Sequence, residues 1–373
     1  MMMLRRTMLA VLVSVAALAA GSVWSAAPRA AVTSLPDRLS DRDFWALSTS
    51  FSEDGGQFHS DNFVSNEGRF QVVIPDLVRR VKTGGVYIGV GPEQNFTYIA
   101  AVRPAMVFIV DIRRGNLHEH LLYKALFEMS ANRAEFLARL FSRPAPKGLR
   151  LDAPVEELFA ALDSSVPTDE MYRQNLSDVT AWLKDRHGLP LTGDDLAGID
   201  YVYRSAFFAD GPELNYRLTG GGIGRGGTPS YAQLMAMDDG EGRQRSYLST
   251  EEHFSFVRNL QSRNLVVPVV GDFGGSKALR AIGRYARSKE ALVSAFYLSN
   301  VEQYLAPAGK WEAFCANVAS MPIDDSSTFI RSYRGGRGDG PGGGFVRFTS
   351  SLGPMLPETA ACAASHAAEL VGQ

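Results

Sequence analysis

Hydrophobic and polar positions over residues 84–114 follow a strand–turn–helix–strand rhythm. Val86, Ile88 and Val90 alternate with other residues, as one face of a strand does. Gly89-Val90-Gly91-Pro92 predicts a tight turn, and Gln94 to Val102 a short helix. Met106 to Val110 form a second strand, with Asp111 at its carboxyl end, 20 residues after Gly91. That order begins a nucleotide-type α/β fold, whose ligand lies at the carboxyl ends of the strands.

The same patterning extends both ways. Ser40 to Leu47 predicts a short helix capped by Ser40, and Phe70 to Lys82 predicts another. Leu117, Leu121, Leu122, Leu126 and Met129 recur at helical spacing within Asn116 to Phe141, giving one or two helices that end before Pro144. The rhythm resumes at Ser249-Thr250-Glu251-Glu252, a capping box with Ser249 at the cap that opens a helix to Arg263. Leu265 to Val270 is an apolar run, as expected of a strand buried on both faces. A helix over Ser276 to Ser288, a strand over Leu292 to Leu298 and a helix over Trp311 to Met321 follow. Strands over Ser327 to Tyr333 and Phe345 to Ser350 close the pattern. Alternating strands and helices predict an α/β fold: a Rossmann-like three-layer sandwich with a mostly parallel sheet and right-handed crossovers.

Between the halves, residues 144–248 break the rhythm, with a Pro/Gly-containing link, amphipathic segments and the glycine run Thr219 to Thr228. A stretch of that kind is a lid, a binding loop or an appended subdomain. Its Tyr203, Phe207, Phe208, Glu213 and Tyr216 form either a cover for the crevice or the insertion's own core. The organisation is then a signal peptide over 1–26, an N-terminal lead-in over 27–51 and the first half of the Rossmann-like domain over 52–143. The insertion or lid over 144–248, the second half over 249–350 and a tail over 351–373 complete it.

The signal-peptide expectation rests on Arg5 and Arg6, the apolar run Met8 to Ala20 and small residues near Ala26. It implies export to the periplasm or beyond, or an uncleaved N-terminal anchor. No later stretch is apolar for long enough to span a membrane. Net charge is −2 among 373 residues, so no overall basic field points to nucleic acid. The two cysteines, Cys315 and Cys362, either pair and tie down the tail or remain two buried thiols.

Candidate chemistry gathers at the first turn. Gly89-x-Gly91-x-x-Gln94 is an incomplete dinucleotide fingerprint, because Gln94 stands where the third glycine belongs. Glu93 at the helix start sets a carboxylate against a pyrophosphate. A cationic ligand without phosphate fits better; S-adenosylmethionine has a sulfonium and an amino group. Asp111 then suits ribose hydroxyls, or else pairs with Arg113 or Arg114 as a strand-end acid. Asp272, after a later strand, suits an adenine or its amine, or caps the next helix; Asn300 and Glu302 face the same crevice or are turn and cap groups.

These residues resemble the S-adenosylmethionine-dependent methyltransferase fold, over 84–114 and 264–302. That resemblance implies that Gly89 and Gly91 hold the methionine part, Asp111 the ribose and Asp272 the adenine side. The usual acid early in the first strand is absent, and Pro92 replaces a small residue. The chain also resembles a group of bacterial proteins with GVGPEQNFTYIA, DIRR, VVGDFGG and YLSNVEQYL stretches, a group without an established activity.

Other motifs fall away. Gly271 to Lys277 places Ser276 between glycine and lysine and lacks the Ser/Thr of a phosphate loop. There is no Gly-x-Ser-x-Gly elbow. His118 and His120 lie on different helix faces, the six histidines show no ligand spacing, and no metal site is expected. If the methyl acceptor must lose a proton, Glu302, His59 and Glu93 are the candidate bases. Two functions remain: methyl transfer from S-adenosylmethionine to an unknown acceptor, or non-catalytic binding in an exported protein. The second is favoured by the leader, because S-adenosylmethionine is a cytosolic metabolite.

Overall fold

A computed structural model describes residues 34–216, 228–334 and 348–362. The expected signal peptide, the glycine run after Thr219, the glycine loop from Gly335 and the end of the tail lie outside the described residues. Among the described residues, no helix is long and apolar enough to cross a membrane.

Among the described residues, six strands form one sheet in the order β3-β2-β1-β4-β5-β6. They are β1 (Val86–Gly89), β2 (Met106–Asp111), β3 (Val266–Val270), β4 (Val293–Ser299), β5 (Thr328–Arg334) and β6 (Phe348–Pro354). All pairs are parallel except β5 with β6. Helices Gln94–Val102, Arg114–Met129 and Glu251–Ser262 pack together on one face. Helices Asp41–Phe51, Ala278–Ser288 and Trp311–Ala319 cover the other. The chain thus winds outward from β1 through β2 to β3, then returns to the far side of β1 as β4. The switch point between β1 and β4 is where an open α/β sheet leaves its ligand crevice.

Every residue of β1, β2 and β3 is buried, which accounts for their unbroken apolar runs. Pro268 sits within β3 because β3 is an edge strand and needs no N–H on its outer side. Helix Asp41–Phe51 covers this edge, and Ser48 Oγ donates to the Pro268 carbonyl at 2.6 Å. One cap differs from expectation. Thr250 rather than Ser249 caps helix Glu251–Ser262, accepting from the His253 N–H at 3.1 Å. Ser249 instead bonds back to the Ser246 carbonyl at 2.7 Å.

Residues of the expected insertion pack against helix Arg114–Met129, and Arg133 ties both ends of the insertion to the rest of the fold. Arg133, fully buried, donates to the carbonyls of Ala153 at 3.1 Å, Leu248 at 2.8 Å and Ser249 at 3.1 Å. It also pairs with Glu251 at 3.0 Å. Tyr203 and Phe207 are fully buried and form part of the continuous core. Phe208 is half-buried against it, and Glu213 is exposed. Tyr216 alone of these five lines the cleft at the strand ends.

Candidate functional site

A cleft of about 800 Å³ opens at the carboxyl ends of the strands, within the usual range for small-molecule sites. Its floor is the turn after β1 and the residues that follow β2, β3 and β4. Its wall is residues 52–67, a strap that crosses the strand ends in sheet order. Glu53 N–H donates to the Val270 carbonyl of β3 at 2.8 Å, and Gly56 N–H to the Ile112 carbonyl after β2 at 2.7 Å. Glu67 completes the crossing at β1 and β4.

The glycine turn is built around Asn95. Its amide donates to the carbonyls of Val90 at 2.9 Å, Gly91 at 3.2 Å and Pro92 at 2.8 Å. The Tyr87 hydroxyl donates to Asn95 Oδ1 at 2.9 Å. A Cβ on Gly89 would lie 1.9 Å from that Oδ1, so Gly89 serves this close approach and does not itself line the cleft. Gly91 does line it, with φ of 75°, and its carbonyl accepts from His120 Nε2 at 2.9 Å. Burial pushes the His120 imidazole down to about 4, so it is the neutral ring that donates here.

Glu93 departs from the sequence expectation. It is fully buried and absent from the cleft lining. Its carboxyl accepts from the Ser65 N–H at 3.4 Å, and burial pushes it up to about 8, helped by the charge of Glu67. Glu119, equally buried, is raised well above the usual range by burial and by Glu93. The carboxylate at the turn is supplied by Glu67 instead, a residue the sequence reading passed over. It lines the cleft yet is almost wholly buried. Oε1 accepts from the Tyr297 hydroxyl at 2.7 Å and the Ser299 hydroxyl at 2.6 Å. Oε2 accepts from the Gln94 amide at 2.8 Å and the Ser350 hydroxyl at 3.3 Å. A carboxylate offers about four lone-pair sites, and four donors converge on them. Gln94, which takes the place of the third glycine, therefore fastens the strap to the turn; its Oε1 accepts from Ser65 Oγ.

Asp111 and Asp272 both line the cleft, and each has a cation. Arg113 grips Asp111 through Nε to Oδ1 at 2.9 Å and Nη2 to Oδ2 at 2.6 Å, and its backbone N–H adds a third bond at 2.9 Å. The remaining terminal nitrogen of Arg113 donates to the Asp61 carbonyl of the strap. Asp272 pairs with Lys310 and accepts from the Gly274 N–H at 2.9 Å. Asn300 also lines the cleft, next to Ser299 in left-handed backbone with φ of 49°. Glu302 does not reach it, because Arg331 holds it through bonds of 2.6 and 3.1 Å. His59 lies at the cleft mouth against Phe58. His118 is turned away onto Asp195 at 3.0 Å. Among the described residues no group of His, Cys, Asp and Glu could hold a metal ion.

Fold and site together define a doubly wound α/β protein with a strapped cleft at its topological switch point, lined by the carboxylates Glu67, Asp111 and Asp272. The chain belongs to the family described as Domain of unknown function (DUF7790), whose model matches residues 62–187 and 225–339. Those segments contain Glu67, Gly91, Asp111, Asp272 and Asn300; Phe58 and His59 precede them, and Tyr216 falls between them. No curated protein matches the chain.

Proposed function

We propose that this cleft binds a positively charged, phosphate-free nucleoside ligand of the S-adenosylmethionine kind, and that the chain is a methyltransferase acting on an unknown acceptor. Glu67 carries the reading. A carboxylate fixed by four donors beside the β1 turn keeps the switch point negative, which opposes a pyrophosphate and favours a sulfonium or ammonium. It takes over the part the sequence assigned to Glu93. Asp111 and Asp272 are the candidate acceptors for ribose hydroxyls and for an amine. Gly91, with no side chain, leaves the turn's backbone open to the ligand. S-adenosylmethionine supplies an activated methyl group; the protein's share is to position both partners and exclude water. Calorimetric titration with S-adenosylmethionine and S-adenosylhomocysteine tests the reading, with NAD as the phosphate-bearing control. The first two bind and NAD does not. No heat and no thermal stabilisation at millimolar ligand sinks it.

A second reading, a non-catalytic binding protein in an oxidising compartment, is favoured by the bond between Cys315 and Cys362. Fractionation with N-terminal sequencing separates the two. A chain found outside the cytosol without residues 1–26 favours binding without methyl transfer.

A further inference from the structure

The cleft mouth carries a feature that neither reading of its floor uses. Three rings meet there from two distant parts of the chain. Phe58 and His59 of the strap lie with ring centroids 4.0 Å apart. Tyr304, just beyond β4, sets its ring at 81° to Phe58 with centroids 5.2 Å apart, and at 5.9 Å from His59. The aromatic cluster around Phe127 and Phe136 is buried. This one is not: Tyr304 is 41% exposed, His59 is exposed and Phe58 is half-buried, and all three line the cleft. Exposed rings gathered at a cleft mouth lose water most readily to another flat ring, in stacked or edge-to-face contact.

A cation lines the same cleft. Lys310 lines the cleft with its side chain 45% exposed, and it holds Asp272. An ammonium has three donors, and that pair uses one. Arg113, the other Lys or Arg among the described residues that line the cleft, is only 10% exposed and is committed to Asp111 and the Asp61 carbonyl. Among the described residues, the cleft's cation with donors to spare is therefore Lys310, whose backbone N–H donates to the carbonyl of Leu305, one residue past Tyr304, at 2.8 Å.

We infer that Phe58, His59, Tyr304 and Lys310 form a second subsite, for a planar aromatic group bearing an acidic substituent. The rings take the plane and Lys310 takes the acid. Under the proposed function this subsite holds the methyl acceptor. The inference rests on the cleft being a ligand site and not on the ligand at its floor being a sulfonium.

The test uses the full chain and three small probes, followed by calorimetry or saturation-transfer NMR. 4-Hydroxybenzoate is expected to bind about tenfold more tightly than cyclohexanecarboxylate, which has the acid without the flat ring. Phe58→Ala and Tyr304→Ala each weaken it several-fold, and Lys310→Met removes its advantage over 4-hydroxybenzyl alcohol. Circular dichroism checks that these surface variants fold. Equal binding of cyclohexanecarboxylate, no binding of 4-hydroxybenzoate at millimolar concentration, or affinity unchanged in both ring variants overturns the inference. S-adenosylhomocysteine titrated into the same samples reads the floor separately, so failure at the rim is distinguishable from failure of the proposed function.

Discussion

The Tyr297 hydroxyl donates to Glu67 Oε1 at 2.7 Å, joining a strap residue to β4 across 230 positions of sequence. This contact and the three others on Glu67 fix a negative group where the sheet changes winding direction. Two substitutions separate its charge from its hydrogen bonds. Glu67→Gln keeps the shape, and the hydroxyls of Tyr297 and Ser299 can rotate to accept from the new amide. It should lose at least tenfold in affinity for a cationic ligand while costing about 1 kcal/mol in stability. Glu67→Ala strands buried donors and should cost about 1–3 kcal/mol in denaturant unfolding. Unchanged affinity in a folded Glu67→Gln protein removes the basis for a cationic ligand.

Glu53 performs a second long-range task in the same strap. Its Oε1 accepts from the N–H groups of Lys277 at 2.8 Å and Ala278 at 2.7 Å, capping helix Ala278–Ser288 from 225 residues away. The carboxylate lies where the free N–H groups and dipole of a helix start favour an anion. Glu53→Ala should therefore lower stability by about 1–2 kcal/mol. Added phosphate should raise the melting temperature of the variant more than that of the wild type, because only the variant leaves those donors open. Equal responses to phosphate would show that the carboxylate is not what satisfies them.

Much of the frame was legible in the sequence, because strands buried on both faces write long apolar runs. The strand expected over Leu265 to Val270 is Val266–Val270, and helix Gln94–Val102 has the bounds its pattern predicts. The acids after β2 and β3 were legible for the same reason: each follows an obvious strand. Glu67 was not. Its partners Gln94, Tyr297, Ser299 and Ser350 lie 27 to 283 positions away, and the strap has no periodicity to place it. Glu93 shows the complementary failure. Its position at a helix start is plain, yet the direction of its side chain depends on Ser65 of the strap. Asp111 and Asp272 were located correctly at strand ends, but only the fold brings Lys310 to the second of them.

His187 gives a pH dependence with a definite sign. Its Nδ1 meets Asp41 at 2.5 Å and its Nε2 meets Glu128 at 2.6 Å. Burial opposes its charge, but the hydrogen bonds to Glu128 and Asp41 outweigh burial and raise its pKa above the ordinary value. A group raised on folding contributes fully below its unfolded pKa of about 6.5 and loses that contribution as pH rises through the folded value. The stability difference between the wild type and His187→Gln, measured by urea unfolding, should thus be largest below about pH 6.5 and shrink as pH is raised toward alkaline values; the contributions of His120 and Glu93 are common to both proteins and cancel in that difference. A difference that does not change with pH would show that His187 carries no such dependence.

Cys315 and Cys362 are bonded with Cα atoms 5.9 Å apart, closing a loop of sequence separation 47. Cys315 belongs to helix Trp311–Ala319, and Cys362 to the helical residues 355–362. That second helix is tied down at two further points. Met355 is fully buried with its N–H on the Ser327 carbonyl at 2.9 Å, and Glu358 pairs with Arg331 at 2.7 Å. The loop closed by the disulfide lies within the range where a cross-link stabilises by about 2–4 kcal/mol, chiefly by restricting the unfolded chain. Reduction should therefore lower the unfolding free energy by that amount while β1 to β4 and the cleft persist. Hydrogen exchange should speed up first in residues 355–362, and Cys362→Ser should reproduce the effect without reductant. Arg331 also holds Glu302, so the turn beyond β4 that carries Tyr304 should loosen next. An unfolding curve that ignores reductant would mean that Met355 and the Arg331 pair alone secure the tail.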